Sequence, residues 1–202
     1  MVQWHAMNTP TSHPTVPGDS SAAGNTAVLV IDMQQGLWHG PDAPHDRAGT
    51  IDRINAVTDR ARQAGRPVVF IQHETEQGSL MHEAAGWQLV QGLVAEAQDV
   101  RVRKTTPDSF LRTDLQDQLL AHGVTQLVVC GIYTEFCVDT TVRKALALGY
   151  PVTLVSDAHS SAGNAALSAQ QVVAHHNATL PQISSFGPRV TLAAAHEVAL
   201  AA

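Results

Sequence analysis

Four short apolar runs, none of which alternates polar with apolar residues, set the strongest limit on how this chain can fold. They are TAVLVIDM (26–33), RPVVFIQHE (66–74), TQLVVCGI (125–132) and YPVTLVSDAH (150–159). A strand with one face in water alternates. A strand that is apolar throughout is covered on both faces, as in a parallel sheet flanked by helices. Helical periodicity fills the gaps between the runs. Segment 46–65 puts Ile51, Ile54, Val57 and Ala61 on one face and stops at Gly65. Segment 111–123 groups Leu111, Leu115, Leu119 and His122, and segment 137–149 stacks Val138, Val142, Ala145 and Leu146. Further helices are predicted over 164–180 and 190–201. DVRVRK (99–104) is a weaker strand and QISSF (182–186) a candidate sixth. Segment 74–98 reads as an irregular insertion with a short helix near GWQLVQGL, long enough to help line a pocket. The alternation predicts a single doubly wound, Rossmann-like α/β domain over residues 26–202. Its sheet is six-stranded and mostly parallel, with helices on both faces.

Charge and composition exclude several classes of partner. The net charge of −6 gives no general electrostatic reason to bind nucleic acid or an anionic membrane. No apolar run approaches the ~18 residues of a membrane span. The first 25 residues are rich in Ser, Thr, Pro, Gly, Ala and His and hold no Lys or Arg. They lack the basic start and apolar stretch of a secretory signal and the basic character of a mitochondrial presequence. They are expected to be a disordered tail, with Met7 as an alternative start. Two cysteines do not make a disulfide framework, so a reducing cytoplasm is the expected location.

In doubly wound folds, ligands bind beyond the carboxyl ends of the strands, where strand order reverses. That rule nominates Asp32, His73 with Glu74, Lys104, the stretch from Gly131 to Cys137, and Asp157 with His159. Both cysteines fall in CGIYTEFCVDTT (130–141). Cys130, inside LVVCG, reads as a core residue, which argues against a disulfide to Cys137. A structural zinc site is not expected, because neither CxxC nor HExxH is present. Two readings of Cys137 remain open on the residues alone: a small buried hydrophobe, or a nucleophile. With Thr134 as N-cap, Cys137 takes the third helical position, where unpaired N–H groups and the helix dipole favour a thiolate. Glu135 and Asp139 oppose this, so a cation such as Lys104 would help. Lys144, the other lysine, reads as solvated surface, and Lys104 read blandly is a rim charge. Asp32 is a strand-ending acid that caps the next turn, or a general base if its surroundings raise its pKa.

Taken in order, VLVIDMQQGLW, RKTTPDSFLRTDL, LVVCGIYTEFCVDTTVRKALALGY, VTLVSDAHSS and VVAHHNATL resemble the isochorismatase-like cysteine hydrolases. That family includes nicotinamidases, N-carbamoylsarcosine amidase and streptothricin-hydrolase-like members. The resemblance spans about residues 26–200. It implies a catalytic triad of Asp32, Lys104 and Cys137, and a non-proline cis peptide between Ile132 and Tyr133. It also implies an oxyanion hole made by the backbone N–H groups of Tyr133 and Cys137. The implied reaction is hydrolysis of a small-molecule amide, lactam or related C–N bond through a thioester, with no cofactor, in a homodimer or larger homo-oligomer. TEFCVDTT with DAHSS is similar to the streptothricin-hydrolase-like members, which open a lactam. Isochorismatases proper lack the cysteine, so Cys137 argues against that activity. Nicotinamidases carry an Asp-x-His and a further His that bind a metal. HGPDAPHDR, with His39, Asp42, His45 and Asp46, lacks that spacing, and the DAH at 157–159 lies at the wrong strand. No metal site is therefore expected. Trp38, Trp87, Tyr133, Glu135, Phe136 and His159 are candidates for lining the substrate pocket, or for packing. The rival readings are a non-catalytic metabolite-binding member of the fold and a thiol redox sensor.

Overall fold

The computed structural model describes residues 25–40 and 42–200, so the expected tail, apart from Asn25, lies outside the described residues. The elements are β1 (Thr26–Ile31), α1 (Arg47–Gln63), β2 (Val68–His73), β3 (Val100–Lys104) and α2 (Leu115–Ala121). They continue with β4 (Gln126–Ile132), α3 (Asp139–Ala147), β5 (Val152–Ser160), α4 (Ala169–Thr179) and β6 (Val190–Ala193). The strand order is β3-β2-β1-β4-β5-β6, and every pairing is parallel. The chain winds outward from β1 to β3, crosses back, and winds outward again from β4. The order therefore reverses between β1 and β4, and the crevice of such a sheet lies at their carboxyl ends.

The apolar runs are buried because each face of the sheet meets helices. On one face Val28, Val30, Phe70 and Val128 pack under Ile51, Ile54, Val57 and Ala61 of α1. On the other, Leu29, Ile31, Ile71 and Val129 meet Leu115 and Leu119 of α2 and Val142 and Leu146 of α3. Each fully buried aliphatic side chain contributes about 1.5–3 kcal/mol, so these two stripes hold the strand ends in place. Among the described residues, no helix is long and apolar enough to cross a membrane.

Five local expectations are corrected. The sixth strand is Val190–Ala193, paired with Val152–Val155, and not 182–186, which forms no strand. The same strand replaces the start of the helix expected over 190–201. Alanine-rich sequence favours helix, but the open edge of β5 recruits this segment, burying Val190 and leaving Thr191 and Leu192 outward. No helix forms near GWQLVQGL, because its backbone is paired elsewhere. Gln35 N–H donates to Gln88 O, Val90 N–H donates to Met33 O, and Gln34 bridges to Leu89. The helix expected from 111 starts at Leu115, after Arg112 in left-handed backbone (φ 57°), which leaves Leu111 and His122 exposed and outside the helix. The helix expected from 164 starts at Ala169, where Ser168 and Gln171 cap each other reciprocally.

Candidate active site

Three strand ends and one turn converge at the crevice. Asp32 follows β1 in left-handed backbone (φ 53°), a region aspartate tolerates better than most residues, while its N–H stays bonded to Ile71 O at 2.8 Å. Lys104 ends β3 in direct register with His73, the last residue of β2. β4 leaves the sheet through Gly131, whose φ is 120° and where a Cβ would stand 2.2 Å from Ile31 O. Only glycine fits so close to β1. The Ile132–Tyr133 peptide is cis. A wide turn over Thr134–Val138 follows, closed by Val138 N–H donating to Tyr133 O at 3.1 Å and continuous with α3. Cys137 lies inside this turn and is 8% exposed. Thr134 does not cap the helix as expected. Its hydroxyl is engaged with His159 instead.

The Lys104 ammonium is the centre of the cluster. Its Nζ lies 2.8 Å from Asp32 Oδ2, 3.1 Å from Cys137 Sγ, 3.1 Å from Thr106 O and 3.3 Å from His73 Nδ1. Asp32 and Lys104 are 1% and 2% exposed. The other Asp32 oxygen, Oδ1, is buried and has no hydrogen-bond partner. A ligand atom from each of Asp32, His73 and Cys137 lies within 4.8 Å of the other two. The geometry thus offers an orphaned carboxylate oxygen to the thiol, with a fixed positive charge held against both.

Asp32, His73 and Cys137 are also the one group among the described residues with three donors close enough for a metal ion. The donor set does not fit one as it stands, because Lys104 directs its ammonium at all three atoms, and a divalent cation there would face a buried like charge. Two of the loop candidates, Asp46 and His45, have other partners. Asp46 accepts from Gly49 N–H at the start of α1 and pairs with Arg53 at 2.5 Å, and the His45 ring meets Gln170 at 3.2 Å.

Burial, reinforced by the Asp32 carboxylate, pushes the Cys137 thiol up to about 12, and Lys104 opposes this without prevailing. The helix-terminus effect that favours a thiolate is thus opposed by the desolvation of a buried thiol. For Lys104, burial favours the neutral amine, but Asp32 and Cys137 together outweigh it and the net shift is upward. Burial, then Lys104, lower the pKa of His73, so its ring is neutral at pH 7. Both cysteines are free. They sit in the clusters on opposite faces of the sheet, and full burial raises Cys130 as well.

The candidate pocket residues are not brought together. Trp38 is packed in the core with Met33 and Ile54. Trp87 lines a cavity of about 1070 Å³ with Gln72, Arg101 and Arg103, and that cavity includes none of the residues around the Lys104 ammonium. Phe136, 57% exposed, and Glu135, which accepts from Ser161 Oγ at 2.7 Å, flank Cys137 in the turn. Tyr133 rests edge-on against Phe136 and anchors its hydroxyl on the carbonyls of Leu37 and Asp42. His159 is buried in a chain of hydrogen bonds. Asn177 Nδ2 donates to Ser156 O (2.9 Å), His159 Nε2 meets Asn177 Oδ1 (3.0 Å), and Thr134 Oγ1 meets His159 Nδ1 (2.8 Å). The Asn177 orientation fixes the tautomer: Nε2–H donates, and Nδ1 accepts from the Thr134 hydroxyl. Sequence reasoning missed this tie from the nucleophile turn to α4, and it missed Gln34, a buried amide that grips the backbone of His73. A glutamine two residues after a strand-ending aspartate is its one sign in the sequence.

Comparison with known proteins gives a consistent result. The profile of the isochorismatase domain matches residues 26–186. A streptothricin hydrolase of Streptomyces noursei is 39% identical over 136 residues, covering 67% of this chain and 49% of that protein. The chain thus spans about half the length of that relative. A ureidoacrylate amidohydrolase of Caulobacter vibrioides is 29% identical, covering 68% of this chain and 74% of its own. A crystal structure of an isochorismatase family protein superposes with a TM-score of 0.78 at 33% identity, covering 86% of this chain and 100% of the other.

Proposed function

The chain is a member of the isochorismatase family, and from that premise we propose that it is a cysteine-dependent hydrolase of a small-molecule amide, lactam or related C–N bond. The observation that carries the reading is the Lys104 ammonium held between Asp32 Oδ2 and Cys137 Sγ while Asp32 Oδ1 has no partner. In the first step Asp32 takes the Cys137 proton as Sγ attacks the substrate carbonyl carbon. Lys104 offsets the charge that passes through sulfur. The backbone N–H groups of Tyr133 and Cys137 hold the oxyanion, a contribution of about 3 kcal/mol per donor in analogous sites. Collapse breaks the C–N bond, and Asp32 returns its proton to the leaving nitrogen. The thioester is then hydrolysed by water that gives its proton to Asp32, which restores the Cys137 thiol. A thiol with a raised pKa suits this sequence, because it becomes nucleophilic only as the base acts.

The names of the two relatives, one a hydrolase and one an amidohydrolase, support this reaction class. Cys137 disfavours hydrolysis of isochorismate itself, where acid catalysis suffices. A redox-sensing role has less support, since Cys130 is fully buried on the other face of the sheet. The test is turnover of a panel of lactams, carboxamides and carbamoyl compounds by the wild type and by Cys137→Ala. Release of amine or ammonia by the wild type alone is the expected result. Equal release by both proteins rejects the mechanism.

A further inference from the structure

His73 touches the cluster, yet the mechanism above gives it no task. We propose that His73 is a positioning residue, whose Nδ1 accepts an N–H of Lys104 and thereby holds the ammonium between Asp32 and Cys137. The inference rests on the cysteine-hydrolase reading.

Four acceptors surround Nζ, and an ammonium has three protons, so its orientation is set by how they compete. His73 closes the remaining side at 3.3 Å. Its own position is unusually well held. It pairs with Lys104 in the sheet register. Its backbone is also gripped by Gln34, a fully buried side chain outside the strand ladder. Gln34 Oε1 accepts from His73 N–H at 2.8 Å, and Gln34 Nε2 donates to His73 O at 2.9 Å. The same Nε2 reaches Trp87 O at 3.0 Å, which ties the insertion to this point.

Accepting from an ammonium requires a neutral ring with its proton on Nε2. Burial and Lys104 favour the neutral ring. Asp32, Glu74 and the Thr106 carbonyl, the other groups facing the ring, oppose it without prevailing. Among the ionisable groups of the cluster, His73 is the one that is partly exposed.

Two isosteres separate this role from a structural one. Asparagine places a carbonyl oxygen where Nδ1 was, and glutamine places its amide nearer Nε2. Two quantities are read in His73→Asn, His73→Gln and the wild type. One is the steady-state kinetics. The other is the rate at which iodoacetamide labels Cys137 without substrate, with protection of Cys130 as the control for folding. His73→Asn should stay within about 3-fold of wild type in both. His73→Gln should lose about 10- to 100-fold in kcat, as expected for a misaligned catalytic group. Its KM should stay within about 3-fold, and its Cys137 labelling should slow in parallel. Equal values for the two variants, or a change in KM alone, overturn the proposal. The labelling needs no turnover. A wild type that hydrolyses nothing therefore sinks the hydrolase reading, and the labelling still judges the position of Lys104.

Discussion

At the scale of single residues, Lys104 joins stability to chemistry. It and Asp32 form a buried ion pair at 2.8 Å. Taking away one member leaves the other charged and desolvated, which costs about 3–5 kcal/mol. Lys104→Met should therefore lower unfolding free energy by that amount in a urea titration, and Asp32→Asn with Lys104→Met should recover part of the loss. Asp32→Asn alone should lower kcat by at least about 10³-fold while the fold persists, because the proton acceptor is gone. The thiol makes a second prediction. With its pKa near 12, Cys137 should show no thiolate absorbance at neutral pH, and the signal that distinguishes wild type from Cys137→Ser should appear only in strong alkali. A thiolate already formed at pH 7 would contradict the electrostatics described. Asp32 and Cys137 were legible because each comes just after an apolar strand, whereas Lys104 ends the charged run VRVRK and was nominated only as a strand end. The state of the thiol was not legible. It depends on how deeply the turn is buried and how near Asp32 comes, and neither is written in local sequence.

At the scale of elements, the nucleophile turn is anchored to β5 and α4 through Thr134, His159 and Asn177. Burial is the main reason that His159 is lowered to about 4, with the Asn177 hydrogen bond opposing it. The unfolded chain binds a proton near pH 6.5 and the folded chain does not, so this histidine's contribution is complete above about pH 6.5 and is lost as pH falls towards 4. The loss is on the order of 3 kcal/mol. His159→Gln removes the titrating group, so its unfolding free energy should fall less over that window than the wild type's. Identical slopes would show that His159 titrates normally. The spacing of DAHSS alone could not separate this anchor from a pocket wall, since the partners Thr134 and Asn177 come from other elements. The same holds for β6. Apolar runs announced the four inner strands β1, β2, β4 and β5, but an edge strand of four residues is decided by the neighbour that accepts it, and Val190 finds Val152.

At the scale of the whole molecule, winding outward twice from the middle of the sheet puts β1 and β4 side by side, so a base on one and a nucleophile after the other meet without a long loop between them. This much follows from the order of the runs and was readable. The course of the insertion was not, since its backbone pairs with residues 33–36 instead of forming its own helix. α4 buries only Val172 and leaves Ala174 and Ala178 exposed, as is Leu167 just before it. We propose that this side meets another copy of the chain, and sedimentation at micromolar concentration near neutral pH should find a dimer or larger species; a strict monomer rejects it. The central claim is that Cys137 carries the acyl group, and acid quenching during turnover of a hydrolysed amide, followed by peptide mass measurement, tests it most directly. The account predicts an added acyl mass on the peptide containing Cys137, absent in Cys137→Ala. Turnover with Cys137 unmodified at every quench time, and undiminished in Cys137→Ala, would contradict it.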